Sequence, residues 1–256
     1  MTARKDWSAF PCLGFDLETT GTSPTQDRIV TAALVAFRPG KRPHVTSYVT
    51  DPGIDIPDEA AAVHGYTREK AAAAQTHTPE LLVWEVAMNL ARWLGQGLPV
   101  VAFNAAFDLT MLEAECRRHD VDPLSARPTG VSPVIDPMVL ANYAEPYRKK
   151  VCTCGCGAQD KTLAGWCAHY GVVNVGAHDS GGDALAACRL WPRIIAKHPT
   201  KFRGQTLAGL HQGQIGWRKA QADNLRAYFD REGIEHDGVD AGWPLYTTVR
   251  SLGVAS

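Results

Sequence analysis

The spacing of apolar and polar positions changes period several times along the chain, and each change marks an element. Cys12-Leu13-Gly14-Phe15 is an apolar run that reads as a buried strand over 12–18, interrupted near its end by Asp16 and Glu18. Ile29–Phe37 is almost continuously apolar and reads as a second strand. Over 45–50 the chain alternates, Val45, Ser47 and Val49 against Thr46, Tyr48 and Thr50, as a third strand does. Short turns join the three, so they are expected to pair antiparallel. The period then becomes helical. Short helices are predicted over 58–65 and 68–74. A longer one over 79–94 has Thr78 as its cap and Pro79 at its first position. Leu81, Val83, Trp84, Ala87, Met88, Ala91 and Leu94 give it a helical repeat. Strands at 99–103 and 131–135 then alternate with helices at 105–119, 137–143, 161–170 and 178–197, and Asp136, following the second of these strands, reads as the cap of the helix at 137–143. Three strands followed by alternating helix and strand imply a mixed α/β sheet flanked by helices. After Pro199 the composition shifts, and one more helix, from about 205 or 213 to 231, carries Ile215, Ala222, Leu225 and Phe229 on one face.

Composition changes this picture little. The 256 residues are 45% hydrophobic and 21% charged, ordinary for a globular chain, with a formal net charge of -1. Near-neutrality is compatible with a nucleic-acid substrate when cations meet the phosphates. No apolar run is long enough to span a membrane. The N-terminus lacks the apolar core of a secretion signal, and the seven cysteines show no disulfide framework. A cytoplasmic location is expected.

The chemistry begins with the two interrupting carboxylates. Residues two apart on a strand share a face, so Asp16 and Glu18 project together from a sheet. Buried carboxylates are costly unless compensated, and a divalent cation is the economical compensation. Asp108 follows Asn104 by four residues where a strand becomes a helix, which places the two on one helical face. Asp183 lies five residues after His178, and the pair can converge if His178 sits in the loop before the helix. All-oxygen carboxylate sites suit Mg²⁺ or Mn²⁺. Two such ions about 4 Å apart can hold the attacking and leaving oxygens of a phosphoryl displacement. A histidine near its ordinary pKa of about 6.5 is suited to take a proton from water. Four carboxylates and one histidine are a kit for metal-assisted phosphodiester hydrolysis.

These motifs together resemble the DEDDh, or DnaQ-like, 3′–5′ exonucleases: proofreading subunits of bacterial replicative polymerases, RNase T and related repair nucleases. The first motif stands as Asp16-Leu17-Glu18-Thr19-Thr20-Gly21, the second as Asn104 to Asp108 and the third as His178 to Asp183. Val63-His64-Gly65-Tyr66-Thr67 is similar to the family's His-Gly-Ile-Thr segment. The resemblance covers roughly residues 10 to 198. It implies an RNase H-like five-stranded sheet flanked by helices, with the exonuclease domain over 8–199 and a mainly helical extension over 200–256. It further implies two Mg²⁺ or Mn²⁺ ions held by Asp16, Glu18, Asp108 and Asp183, with Asp16 bridging and His178 as general base. Leu17, Thr19, Thr20 and His64 would meet the 3′-terminal nucleotide. Asn104 belongs to the same pocket, and Phe107 is an aromatic candidate for base stacking. The expected activity is removal of nucleoside monophosphates from 3′ ends, of DNA in preference to RNA. An exoribonuclease of the RNase T or oligoribonuclease type is the alternative, and a polymerase-associated binding subunit a further one.

Two stretches are not accounted for by that resemblance. Cys152, Cys154 and Cys156 sit in an insertion over 148–160, after the basic run Arg148-Lys149-Lys150. With Cys167 or His169 they could bind a structural zinc, although free thiols are the default reading of C-x-C spacing. Gln205 to Leu210 faintly suggests a sliding-clamp peptide, so the extension is a candidate for docking a DNA polymerase or clamp.

Overall fold

Among the described residues the strands are β1 (Cys12–Thr19), β2 (Ile29–Phe37), β3 (His44–Val49), β4 (Val100–Val101) and β5 (Val134–Ile135). They form one sheet in the order β3-β2-β1-β4-β5. β1 pairs antiparallel with β2, and β2 with β3, while β4 runs parallel to β1 and to β5. The helices are α1 (Asp58–His64), α2 (Arg68–Ala73), α3 (Pro79–Gly95), α4 (Ala105–Arg118), α5 (Pro137–Ala144), α6 (Leu163–Tyr170), α7 (Ser180–Lys197) and α8 (Leu207–Glu232). This computed structural model describes residues 6–7, 10–148, 161–174, 179–236 and 238–247. Among the described residues, no helix is long and apolar enough to cross a membrane.

The alternation of β1 divides the core in two. Leu13, Phe15 and Leu17 pack with α3 and α4 residues such as Leu90, Leu109 and Leu112. Cys12, on the other face, packs with Trp166, Cys188, Leu190 and Trp191 from α6 and α7. Asp16 and Glu18 share the face of Cys12 and therefore look toward α7. Glycine at position 14 lets α7 come close. A Cβ there would lie 2.7 Å from the Ala184 carbonyl oxygen and 2.7 Å from Cys188 Sγ. Gly14→Ala is expected to cost about 1–3 kcal/mol by overpacking, seen as a lower melting temperature. It should also weaken divalent-ion binding, because Asp183 adjoins the displaced Ala184.

The helical and strand patterns place most elements, but not every face. In β3 it is Tyr48 that is buried, while Val45 is exposed. In α3 the core takes Leu82, Val86, Leu90 and Trp93, and Leu81, Trp84 and Met88 are exposed. β4 and β5 are two residues each, shorter than the apolar runs that contain them. The face of α8 also differs from expectation. Ile215 and Leu225 are exposed, and the buried residues are Leu210, His211, Gln214 and Ala222. The polar members of that set bond to β5, so hydrophobic periodicity alone does not find this face. Beyond α8, Trp243 and Leu245 return to the core beside α4.

Candidate metal-binding active site

β1 is the middle strand, and its C-terminal end carries the site. Asp16 lies opposite Ala33 and Glu18 opposite Thr31 on β2. α7 begins at Ser180, which puts Asp183 in its first turn. Carboxylate oxygens of Asp16, Glu18 and Asp183 all lie within 4.8 Å of one another. Asn174 Nδ2 donates to Asp183 Oδ1 at 3.0 Å and steadies it from the α6–α7 connection. Asp179, just before α7, adds its charge to the group.

Asp108 comes from the opposite face of the sheet. It is buried in the first turn of α4, and its Oδ1 accepts the Leu17 backbone N–H at 3.0 Å. That bond fastens α4 to β1 between the two strand carboxylates. Asp108 is also the largest charged neighbour acting on Asp16. The structure therefore brings Asp16, Glu18 and Asp183 into one cluster with Asp108 beside it.

The start of α4 is set by a residue not expected in that role. Asn104 lies outside the helix, in the left-handed region at φ 63°, and so does not share a helical face with Asp108. Asparagine tolerates that conformation better than most side chains. Its backbone N–H and that of Ala105 donate to the two oxygens of Asp136, each at 3.0 Å. Asp136 also accepts the Met138 N–H at 2.9 Å, which is the α5 cap that Asp136-Pro137 signals in the sequence. One buried carboxylate thus anchors two helix starts. The cap was legible; the grip on α4 depends on two parallel strands lying side by side and has no local signal.

The remaining expected residues surround this centre. Leu17 is buried and contributes its backbone N–H to Asp108. Thr19 Oγ1 donates to the Gly21 carbonyl at 2.7 Å. Thr20 is turned inward, its hydroxyl donating to Asp27 Oδ1 at 3.0 Å. His64 is buried, with its Nδ1 accepting the Tyr66 N–H at 3.2 Å and its ring beside the Thr19 backbone. Phe107 is half-buried against the core next to Asp108. His178 lies outside the described residues, as do Cys152, Cys154 and Cys156. Cys167 is buried in the α7-side core, where burial pushes its thiol up to about 11. His169 Nε2 is 2.9 Å from Glu145 Oε2.

The electrostatics are those of a site built to receive positive charge. Burial, then the charges of Asp108, Glu18 and Asp183, raises the Asp16 carboxyl well above its ordinary range. Burial, then Asp183 and Asp179, brings Glu18 to about 7. Burial also raises Asp108, partly opposed by the Leu17 N–H. A carboxyl raised in the folded state binds its proton more tightly there than in the unfolded chain. Stability is therefore greatest below the unfolded value of 4.5 for Glu18 and falls as pH rises toward about 7. In chelator, the melting temperature should drop across this window, with Glu18 contributing on the order of 2 kcal/mol after solvent screening. Added Mg²⁺ should flatten the profile, because the cation replaces the proton. A flat profile in chelator would contradict the assigned burden of charge.

The donor set is carboxylate oxygen throughout, which fits a hard divalent cation such as Mg²⁺ or Mn²⁺. Comparison with known proteins bears on the family and the fold. The RNase T family model, described as exonuclease, matches residues 13–191. The DNA polymerase III epsilon subunit of Treponema pallidum (strain Nichols) is 26% identical over 185 residues, 72% of this chain and 76% of that protein. The DNA polymerase III epsilon-like protein of Rhodobacter capsulatus is 38% identical over 101 residues, 38% of this chain and 13% of that protein. E. coli exonuclease I, solved in complex with a dT13 oligonucleotide, shares the fold at a TM-score of 0.59 and 19% identity. That match covers 75% of this chain and 42% of exonuclease I, so the chain spans less than half of that protein.

Proposed function

The chain belongs to the RNase T exonuclease family, of the DEDDh type with an RNase H-like fold, and from that premise we propose that it is a 3′–5′ exonuclease releasing nucleoside monophosphates. The observation that carries the reading is the convergence of Asp16, Glu18 and Asp183 within 4.8 Å, with Asp108 fastened beside them. Asp16, Glu18 and Asp183 would hold one Mg²⁺ or Mn²⁺, and Asp16 with Asp108 a second. When bound, such ions neutralise the carboxylates and stabilise charge on the phosphoryl oxygens. DNA is the favoured substrate, a preference supported by the DNA polymerase III relatives and by the oligonucleotide complex of exonuclease I.

The chain's own residues supply the rest. His178 takes a proton from water, whose oxygen attacks the terminal phosphorus. The P–O3′ bond breaks, and the released O3′ of the shortened strand takes up a proton. Leu17, Thr19 and His64 form the wall against which the terminal nucleotide is positioned. A single-stranded oligonucleotide labelled at its 5′ end, offered as DNA and as RNA, tests direction and sugar preference together. The expected result is a ladder of shortening 5′-labelled products from DNA, abolished when the 3′ end is blocked. Immediate appearance of labelled mononucleotide would reverse the polarity, and faster shortening of RNA would reverse the sugar preference.

A further inference from the structure

β5 is the edge of the sheet, and an edge strand leaves backbone N–H and C=O groups that need partners when buried. In this chain α8 supplies them with side chains. The Val134 N–H donates to His211 Nδ1 at 3.1 Å. Gln214 Nε2 donates to the Val134 carbonyl at 3.0 Å, and the Asp136 N–H donates to Gln214 Oε1 at 2.7 Å. The Gln amide oxygen and one of its two N–H groups serve the strand edge as a peptide unit would, and Nε2 also donates to the Leu210 carbonyl at 3.1 Å. Gln214 thus takes the place of a peptide of a sixth strand, at 0% exposure.

Asp136 is the next link. Its carboxylate holds the N–H groups of Asn104 and Ala105 at the start of α4, and α4 carries Asp108. The segment after α8 grips the same helix on its flank. The Tyr246 N–H donates to Thr110 Oγ1 at 2.9 Å, two residues beyond Asp108, and Trp243 and Leu245 pack beside it. We propose that Gln214 is a positioning residue of the metal site, fixing Asp108 through Asp136 and the first turn of α4, so that α8 is part of the catalytic unit. This rests on the metal-dependent exonuclease reading.

A Gln that merely filled a buried corner would affect stability alone. A positioning Gln must also affect the ion that Asp108 helps to hold, as partners behind metal ligands do. The test is Mn²⁺ calorimetry on the full chain, with kcat and KM for a DNA oligonucleotide, at a temperature where circular dichroism shows each variant folded. Gln214→Leu should weaken Mn²⁺ binding and lower kcat by about tenfold or more, with KM nearly unchanged. Leu210→Ala removes a buried side chain from the same helix while keeping the backbone carbonyl that accepts from Gln214, so it should lower the melting temperature and leave Mn²⁺ affinity intact. Where Gln214→Leu does not fold, Gln214→Met replaces it with the same expectations. Wild-type Mn²⁺ affinity in folded Gln214→Leu or Gln214→Met would overturn the proposal, as would equal loss in Leu210→Ala. Absence of nuclease activity in the unsubstituted chain would refute the exonuclease reading instead, while the calorimetry still decides the role of Gln214.

Discussion

Asp16→Ala should lower Mg²⁺-dependent nucleotide release by on the order of 10³-fold or more, and leave the chain folded. Ions in such a site contribute several kcal/mol to the transition state, and each 1.4 kcal/mol or so is tenfold in rate. Asp16 would be shared by both proposed ions, so its loss should disturb both. Stability should move the opposite way. Metal-free Asp16 bears the cost of burial together with the charges of Asp108, Glu18 and Asp183. Removing it relieves that repulsion, so the variant should melt at or above the wild-type temperature in chelator. Its melting temperature should also respond less to added Mg²⁺. This opposite movement of activity and stability separates a functional carboxylate from a structural one. Near-normal turnover would refute the role of Asp16, and unfolding would show that the carboxylate supports the fold.

His178→Ala should slow the reaction by about 10²- to 10⁴-fold, the usual contribution of a positioned base. The pH profile gives a sharper signature. A base acts when deprotonated, so the wild-type rate should rise with pH and then level off. The variant should lose that rise. The measurement belongs at saturating Mg²⁺, where the cation keeps Glu18, otherwise at about 7, ionised across the range. An unaltered rate and profile between about pH 6 and pH 8 would remove His178 from the role of base.

The carboxylates on β1 were legible because a strand has a strict period of two, so Asp16 and Glu18 could only share a face. Asp183 was legible as a helix-start residue, since α7 opens at Ser180. Asp108 was legible as a member of the set, but not its bond to the Leu17 N–H, which spans 91 positions. Asn104 shows where helical spacing misleads. Four residues before Asp108 means a shared face only if both are helical, and Asn104 instead turns the chain at positive φ. Asp136 announced itself as a cap, yet its second hold on α4 needs the parallel neighbours β4 and β5. α8 was the least legible. Its inward face is chosen by hydrogen bonds from His211 and Gln214 to a strand edge, and these polar residues look like solvent positions in a hydrophobic count. α3 misleads differently: it carries apolar residues on both faces, and Leu82, Val86, Leu90 and Trp93 take the inward one while Leu81, Trp84 and Met88 are exposed.

The most direct measurement is release of mononucleotides from single-stranded DNA by the purified chain, first in chelator and then with Mg²⁺ restored. The account predicts no release in chelator, stepwise release of nucleoside 5′-monophosphates on adding Mg²⁺, and none from Asp16→Ala under the same conditions. Equal release with and without the cation, or release by Asp16→Ala at the wild-type rate, would contradict it.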